Sequence, residues 1–195
     1  MAVALSLFSM VMSMNITILS LPVMALDFTV TLREVSWVVI GFSLTVTALL
    51  LPMGRFSDLI GRKKTLVSGI GVFILGSLIC YFAKTLLILI FGRVVMGIGA
   101  SMGQGVGTAI VVSVFPKNER GKAIGAHTTA VAFGAAGGPV VAGILLQFYS
   151  WHAIFLAIVV PAIFAFFLGI LIFPPTPHFV MCFIVFCHLL RIWCF

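Results

Sequence analysis

The chain has 195 residues, of which 63% are hydrophobic and only 8% charged, with a mean hydropathy of +1.33 and a formal net charge of +7. Soluble domains carry about 25% charged residues, so these proportions exclude a water-soluble globule and make lipid the solvent. Apolar runs of roughly 20 residues, the length a helix needs to cross a bilayer, recur along the chain; the short alternating segments of a membrane barrel do not.

In chain order, the first predicted span runs from about Ala4 to Leu26. It begins apolar at Met1 with no basic segment ahead of it, so it reads as a first span rather than a cleaved signal. A short loop with Asp27, Arg33 and Glu34 leads to span 2, about Val35 to Met53. A dense knot of charge follows, Gly54-Arg55-Phe56-Ser57-Asp58-Leu59-Ile60-Gly61-Arg62-Lys63-Lys64, holding five of the fifteen charged residues. Span 3 covers about Thr65 to Ala83, and span 4 runs from Leu86 to about Val114, long enough to imply tilt or a bend. The loop from Phe115 to Lys122 precedes span 5, about Ala123 to Phe148, and a turn at Tyr149-Ser150-Trp151-His152 leads to span 6, about Ala153 to Phe173. Pro174-Pro175 then breaks the helix.

The fold class expected is an all-α membrane protein, a six-helix bundle over residues 1–173. The remainder, 174–195, is an apolar tail rich in Phe, Cys and His, expected to be either non-native sequence or a truncated seventh span. Basic residues concentrate after spans 2 and 4, which places those loops and the N-terminus on the cytoplasmic side of a cell (plasma or inner) membrane. The positive charge is thereby explained by topology, and nucleic acid is not an expected partner. Trp37 and Trp151 fall at span ends on the opposite side, as interfacial aromatics. The cysteines, Cys80, Cys182, Cys187 and Cys194, show no metal-ligand spacing with histidine. No Walker loop, HExxH, dinucleotide fingerprint or Ser/His/Asp set is present, so no enzyme, metal or cofactor is expected.

Three patterns carry the functional signal. The knot has the form G-x-x-x-D-x-x-G-R-K-K. Its glycines, Gly54 and Gly61, permit tight turning and close approach, Asp58 is an acceptor, and Arg62, Lys63 and Lys64 fix the cytoplasmic side. Taken alone it is also consistent with a solvated topological anchor. Arg93 lies seven residues inside span 4, about 10 Å of helix rise. A charge at that depth faces either the bundle interior or a wet cavity, or snorkels to the interface. Gly97, Ala100 and Gln104 share its helix face. In span 5, Gly134, Gly138 and Ala142 recur every fourth residue, with Pro139 and Gly143 beside them, a surface for close helix packing and a bend.

Together, in this order and on these spans, the three patterns resemble the major facilitator superfamily. The knot is similar to the signature between its spans 2 and 3, the Arg93 segment to its span-4 pattern R-x-x-x-G-x-G, and Gly134–Gly143 to the span-5 pattern of its antiporters. Glu119-Arg120-Gly121-Lys122-Ala123 and Ser150–Phe155 look like the drug:proton antiporters of that family.

The resemblance covers about Val3 to Ile172. It implies the N-terminal half of a transporter that works by alternating access, built from three-plus-three inverted repeats with substrate near the midplane between halves. It further implies a charge-relay latch at Gly54, Asp58, Gly61, Arg62 and Lys63; proton coupling or substrate contact at Arg93, Gln104 and Asn15; and a packing motif at Gly134, Gly138, Pro139 and Gly143. Two departures stand out. Leu59 replaces a residue that is often basic, and Asn15-Ile16-Thr17 stands where fourteen-span relatives often have D-x-T. Asparagine carries no proton. Ser6, Ser9, Ser13, Thr17 and Ser20 form one stripe on span 1, Asn15 lies opposite, and only one of these faces is expected to meet a cavity.

The expected activity is proton-coupled export of amphipathic drugs or small organic compounds. A metabolite or sugar carrier of the same superfamily and a non-transporting fragment are the competing readings. Expected partners are membrane lipids, a small-molecule substrate, the proton, and a C-terminal half or second copy to complete the path.

Overall fold

The computed structural model describes residues 2–114 and 120–172. Both the tail beyond Ile172 and most of the loop after span 4 lie outside the described residues, and with them the expectations for a seventh segment and for Lys117 and Glu119. Within the described residues every regular element is a helix: α1 (Ala2–Asp27), α2 (Leu32–Val35), α3 (Trp37–Ile60), α4 (Arg62–Tyr81), α5 (Leu86–Val114), α6 (Arg120–Phe148) and α7 (His152–Ile172). Six of them are long and apolar enough to cross a membrane.

The loop between the first two spans contains structure that hydropathy does not predict. Thr31 and Glu34 form a reciprocal capping box: the Glu34 Oε2 accepts from the Thr31 backbone N–H at 2.8 Å, and the Thr31 Oγ1 accepts from the Glu34 N–H at 3.4 Å. It starts the single turn of α2 by satisfying otherwise orphaned donors.

The charged knot is not a loop. Gly54 to Ile60 complete α3, Arg62 opens α4, and Gly61 alone joins the two helices. Its φ of 105° and ψ of 127° lie where a side chain is strained. Gly61→Ala is expected to cost about 1–3 kcal/mol, read as a lower Tm in detergent. Gly54, by contrast, lies inside α3 and makes no turn; a Cβ on Gly105 would come within 3.3 Å of its backbone nitrogen.

α1 and α5 occupy the middle of the bundle. α5 packs on α3 and α4, α1 packs correspondingly on α6 and α7, and α4 meets α7. Exchanging α1 with α5, α3 with α6 and α4 with α7 reproduces this contact pattern, as an inverted three-plus-three repeat requires.

Hydrocarbon offers no hydrophobic drive for helix association, so these contacts depend on close approach at small residues. A Cβ on Gly76 would stand 2.6 Å from the Met96 nitrogen. One on Gly99 would stand 2.5 Å from both the Gly69 carbonyl oxygen and the Phe73 nitrogen. Gly97 admits Thr45 and Phe42 of α3 in the same way. α3 and α6 leave long apolar faces uncovered, including Leu44 and Leu51 on one and Phe133 and Val140 on the other.

Candidate functional site

The side chain that the bundle encloses most completely for its size and charge is Arg93, 1% exposed. It does not snorkel. α5 carries it into the space between α1, α3 and α7, where three neighbours meet it. Its Nη1 donates to the Ser13 Oγ of α1 at 3.0 Å. Its guanidinium carbon lies 5.6 Å from the ring centre of Phe42 on α3 and 5.1 Å from that of Phe155 on α7. Each ring face attracts the cation, by about 2 kcal/mol or more where water is excluded. The Nε and Nη2 atoms are buried and have no hydrogen-bond partner among the described residues. These two donors form one edge of the guanidinium plane, the edge that grips a carboxylate in a fork.

Of the residues expected to accompany Arg93, the structure brings some close and not others. The hydroxyl stripe of α1 faces inward: Ser6, Ser9, Ser13, Thr17 and Ser20 are all buried. Three of them bond back to their own helix, with Ser9 Oγ donating to the Leu5 carbonyl, Thr17 Oγ1 to Ser13 and Ser20 Oγ to Thr17. The Ser13 hydroxyl accepts from the arginine.

Asn15 is half-buried on another side of α1. Its Nδ2 donates to the Val11 carbonyl at 3.1 Å, and its Cβ would be 2.9 Å from a Cβ on Gly138. Asn15 therefore packs against the α6 motif rather than joining Arg93. Gln104 is half-buried about three turns along α5 from Arg93, some 16 Å of helix rise.

The α6 motif divides in two. Gly134 and Gly138 are buried against α1, where Phe8, Met12 and Asn15 fill the space a side chain would need, and Ala142 is buried with them. Pro139 and Gly143 are exposed, and nothing lies within 4 Å of a Cβ placed on Gly143.

At the α3–α4 junction the Arg62 Nε and Nη2 both donate to the Asp58 Oδ1, at 3.2 and 3.1 Å. Arg62 is 37% exposed and Asp58 60%. An open pair one helical turn apart contributes about 0.3–0.5 kcal/mol, so it can exchange partners at little cost. The Lys63 Nζ donates to the Ile170 carbonyl at 3.3 Å, tying the start of α4 to the last turns of α7.

The opposite end carries a link that sequence reading misses. Trp151, taken there as an interfacial residue, is 3% exposed, and its Nε1 donates to the Asp27 Oδ2 at 2.8 Å. The Trp151 ring stacks on His152 at 3.6 Å and tilts against Phe28 at 5.3 Å. The bond holds the end of α1 to the start of α7. Trp151→Phe is expected to cost about 1–2 kcal/mol in thermal unfolding, the lower part of the range for bonds to a charged group because Asp27 stays wet. Nearby, a cleft of about 510 Å³ opens between α6 and α7, lined by Tyr81, Tyr149, His152, Leu156 and Val160 among others.

No cluster of His, Cys, Asp or Glu among the described residues could hold a metal ion. The signal for the Arg93 environment was partly present in sequence, as a hydroxyl stripe on an apolar span. Phe42 and Phe155 are indistinguishable in sequence from the chain's other phenylalanines.

The family model described as Major Facilitator Superfamily matches residues 2–181. The riboflavin transporter RibZ of Clostridioides difficile is 37% identical over 78% of this chain and 34% of its own length. The methylenomycin A resistance protein of Streptomyces coelicolor is 36% identical over 65% of this chain and 27% of its own. The multidrug resistance protein Stp of Mycobacterium tuberculosis is 30% identical over 79% and 29%. The chain thus spans about a third of the length of these relatives. Among solved structures, a bacterial homologue of the human lysosomal transporter Spinster, inward-facing and occupied, superposes with a TM-score of 0.78 at 16% identity, covering 91% of this chain and 44% of that one. That likeness concerns the fold.

Proposed function

Because the chain belongs to the major facilitator superfamily, we propose that it forms the N-terminal half of a proton-coupled exporter of amphipathic organic compounds working by alternating access. The observation that carries this reading is Arg93, a cation fully enclosed where helices of both inverted repeats meet. In a membrane interior such a group marks a substrate or ion path. The small-residue contacts of Gly134 and Gly138 on α1 let the two repeats pack closely.

The Asp58–Arg62 pair, weak and exposed, suits a latch that opens and recloses as the halves rock. Its partner surface would be a C-terminal half or a second copy. Among the described residues, the acids Asp27, Glu34 and Asp58 lie within two residues of a helix end. This reading places no proton-carrying carboxylate deep within the described spans, and Asn15 does not supply one.

The test uses the full-length transporter containing this segment, reconstituted in liposomes with an imposed pH gradient and a panel of anionic, neutral and cationic lipophilic dyes. Gradient-dependent movement of at least one dye is expected. Asp58→Asn should slow it about tenfold with Tm little changed, since an exposed pair adds under about 1 kcal/mol of stability. Movement of no dye would remove the exporter reading. A second reading, a vitamin or metabolite carrier, draws on the 37% identity to the riboflavin transporter. Saturable riboflavin uptake with no dye export would favour it.

A further inference from the structure

We propose that the Nε/Nη2 edge of Arg93 is a docking site for the carboxylate of an amphipathic organic acid. This inference rests on reading Arg93 as part of the transport path and narrows the substrate to anions. Three observations converge on it. Of the guanidinium's nitrogens, Nη1 is bound to Ser13, while Nε and Nη2 are buried with no partner among the described residues. The Nε and Nη2 of Arg62 both donate to one oxygen, Oδ1, of the Asp58 carboxylate, so this chain already shows that edge holding an acid. Among the described residues Arg93 makes no ion pair: Asp27, Glu34 and Asp58 lie at or outside the ends of the long helices, and Asn15 packs toward α6.

A buried cation left without a counter-charge is costly. The group that best relieves it is a planar anion with two acceptors, matched in geometry to the fork. A cation would be repelled there, and a neutral amide brings no charge to offset the buried cation. Phe42 and Phe155 add a requirement on the rest of the ligand. Their rings lie 5.6 and 5.1 Å from the guanidinium carbon, so the body attached to the carboxylate must be apolar, and a flat aromatic body packs best against them.

Equilibrium dialysis of the purified chain in detergent, with no gradient, provides the test. The probes are 2-naphthoate, its neutral isostere 2-naphthamide and 2-naphthylmethylammonium. Naphthoate is expected to bind about tenfold or more tighter than either, the ratio that a charge-assisted bond confers. Arg93→Lys, which keeps the charge but loses the fork, should weaken naphthoate about tenfold, and Arg93→Gln should abolish the preference for naphthoate over naphthamide.

Equal binding of the three probes to the wild-type chain, or no binding of any, overturns the proposal without recourse to a variant. So does a naphthoate preference that survives both substitutions. Acetate separates the two sources of a carboxylate: if it displaces naphthoate at equal concentration, the site takes small anions and the assignment to organic acids fails. Binding is measured apart from flux, so a chain that exports nothing can still show the preference. A transporter that exports cations with no such preference sinks this inference and leaves the exporter reading intact.

Discussion

Arg93→Met is expected to make the bundle more stable and the transporter inactive. The guanidinium is 1% exposed and has two unpartnered nitrogens. The effective penalty for burying an ion is several kcal/mol, and the unsatisfied donors add about 1–3 kcal/mol each. The bond to Ser13 and the two ring faces return part of this, about 2 kcal/mol or more for each desolvated cation–π contact. Methionine fills a similar volume with no charge to desolvate. Replacing a buried ion pair by apolar residues of similar volume gains about 1–4 kcal/mol, and a gain in that range is expected for this unpaired ion, a Tm higher by roughly 2–4 °C for each kcal/mol in a chain of this size. Transport in the full-length protein should fall about a hundredfold or more, the loss of two charge-assisted bonds to the passing ligand or coupling group. A Tm that falls instead would show that Ser13, Phe42 and Phe155 more than offset the burial, making Arg93 a structural brace.

The second large effect is expected at Gly99 and not at Gly143, although both belong to small-residue motifs. A methyl group on Gly99 would sit 2.5 Å from the Gly69 carbonyl oxygen and the Phe73 nitrogen, and 2.9 Å from the Phe73 Cα. All three are backbone atoms of α4, so no rotamer change relieves the clash and the helices must separate. Overpacking of this kind costs about 1–3 kcal/mol and occasionally more, and Gly99→Ala belongs at the top of that range. The yield of monodisperse protein and its Tm should both drop. Gly143→Ala meets nothing within 4 Å and gains about 0.8–1 kcal/mol of helix propensity. It should leave Tm unchanged or higher. Impaired transport in that stable variant would place Gly143 at a contact made outside this half.

Taken on its own, the amino-acid sequence determined the class of solvent and the number and rough extent of the spans. These follow from local composition: an apolar run of bilayer length has no soluble alternative, and its backbone bonds must close within the helix. It also located Arg93 at a depth where a charge demands an explanation, and the glycines of α6 at helical spacing.

Only the tertiary structure decided what those residues meet. Snorkelling and inward burial of Arg93 are both compatible with the sequence, because they differ in the helix's rotation and in which neighbours surround it. The fold turns Arg93 toward Ser13, Phe42 and Phe155, residues 80, 51 and 62 positions away along the chain. It likewise separates Gly134 and Gly138, packed on α1, from Gly143, which a sequence motif treats as their equal. It also buries Trp151 and bonds it to Asp27. Burial and partnership are properties of pairs of helices, fixed by which small residues allow two backbones to approach. Composition along one helix carries no record of that choice.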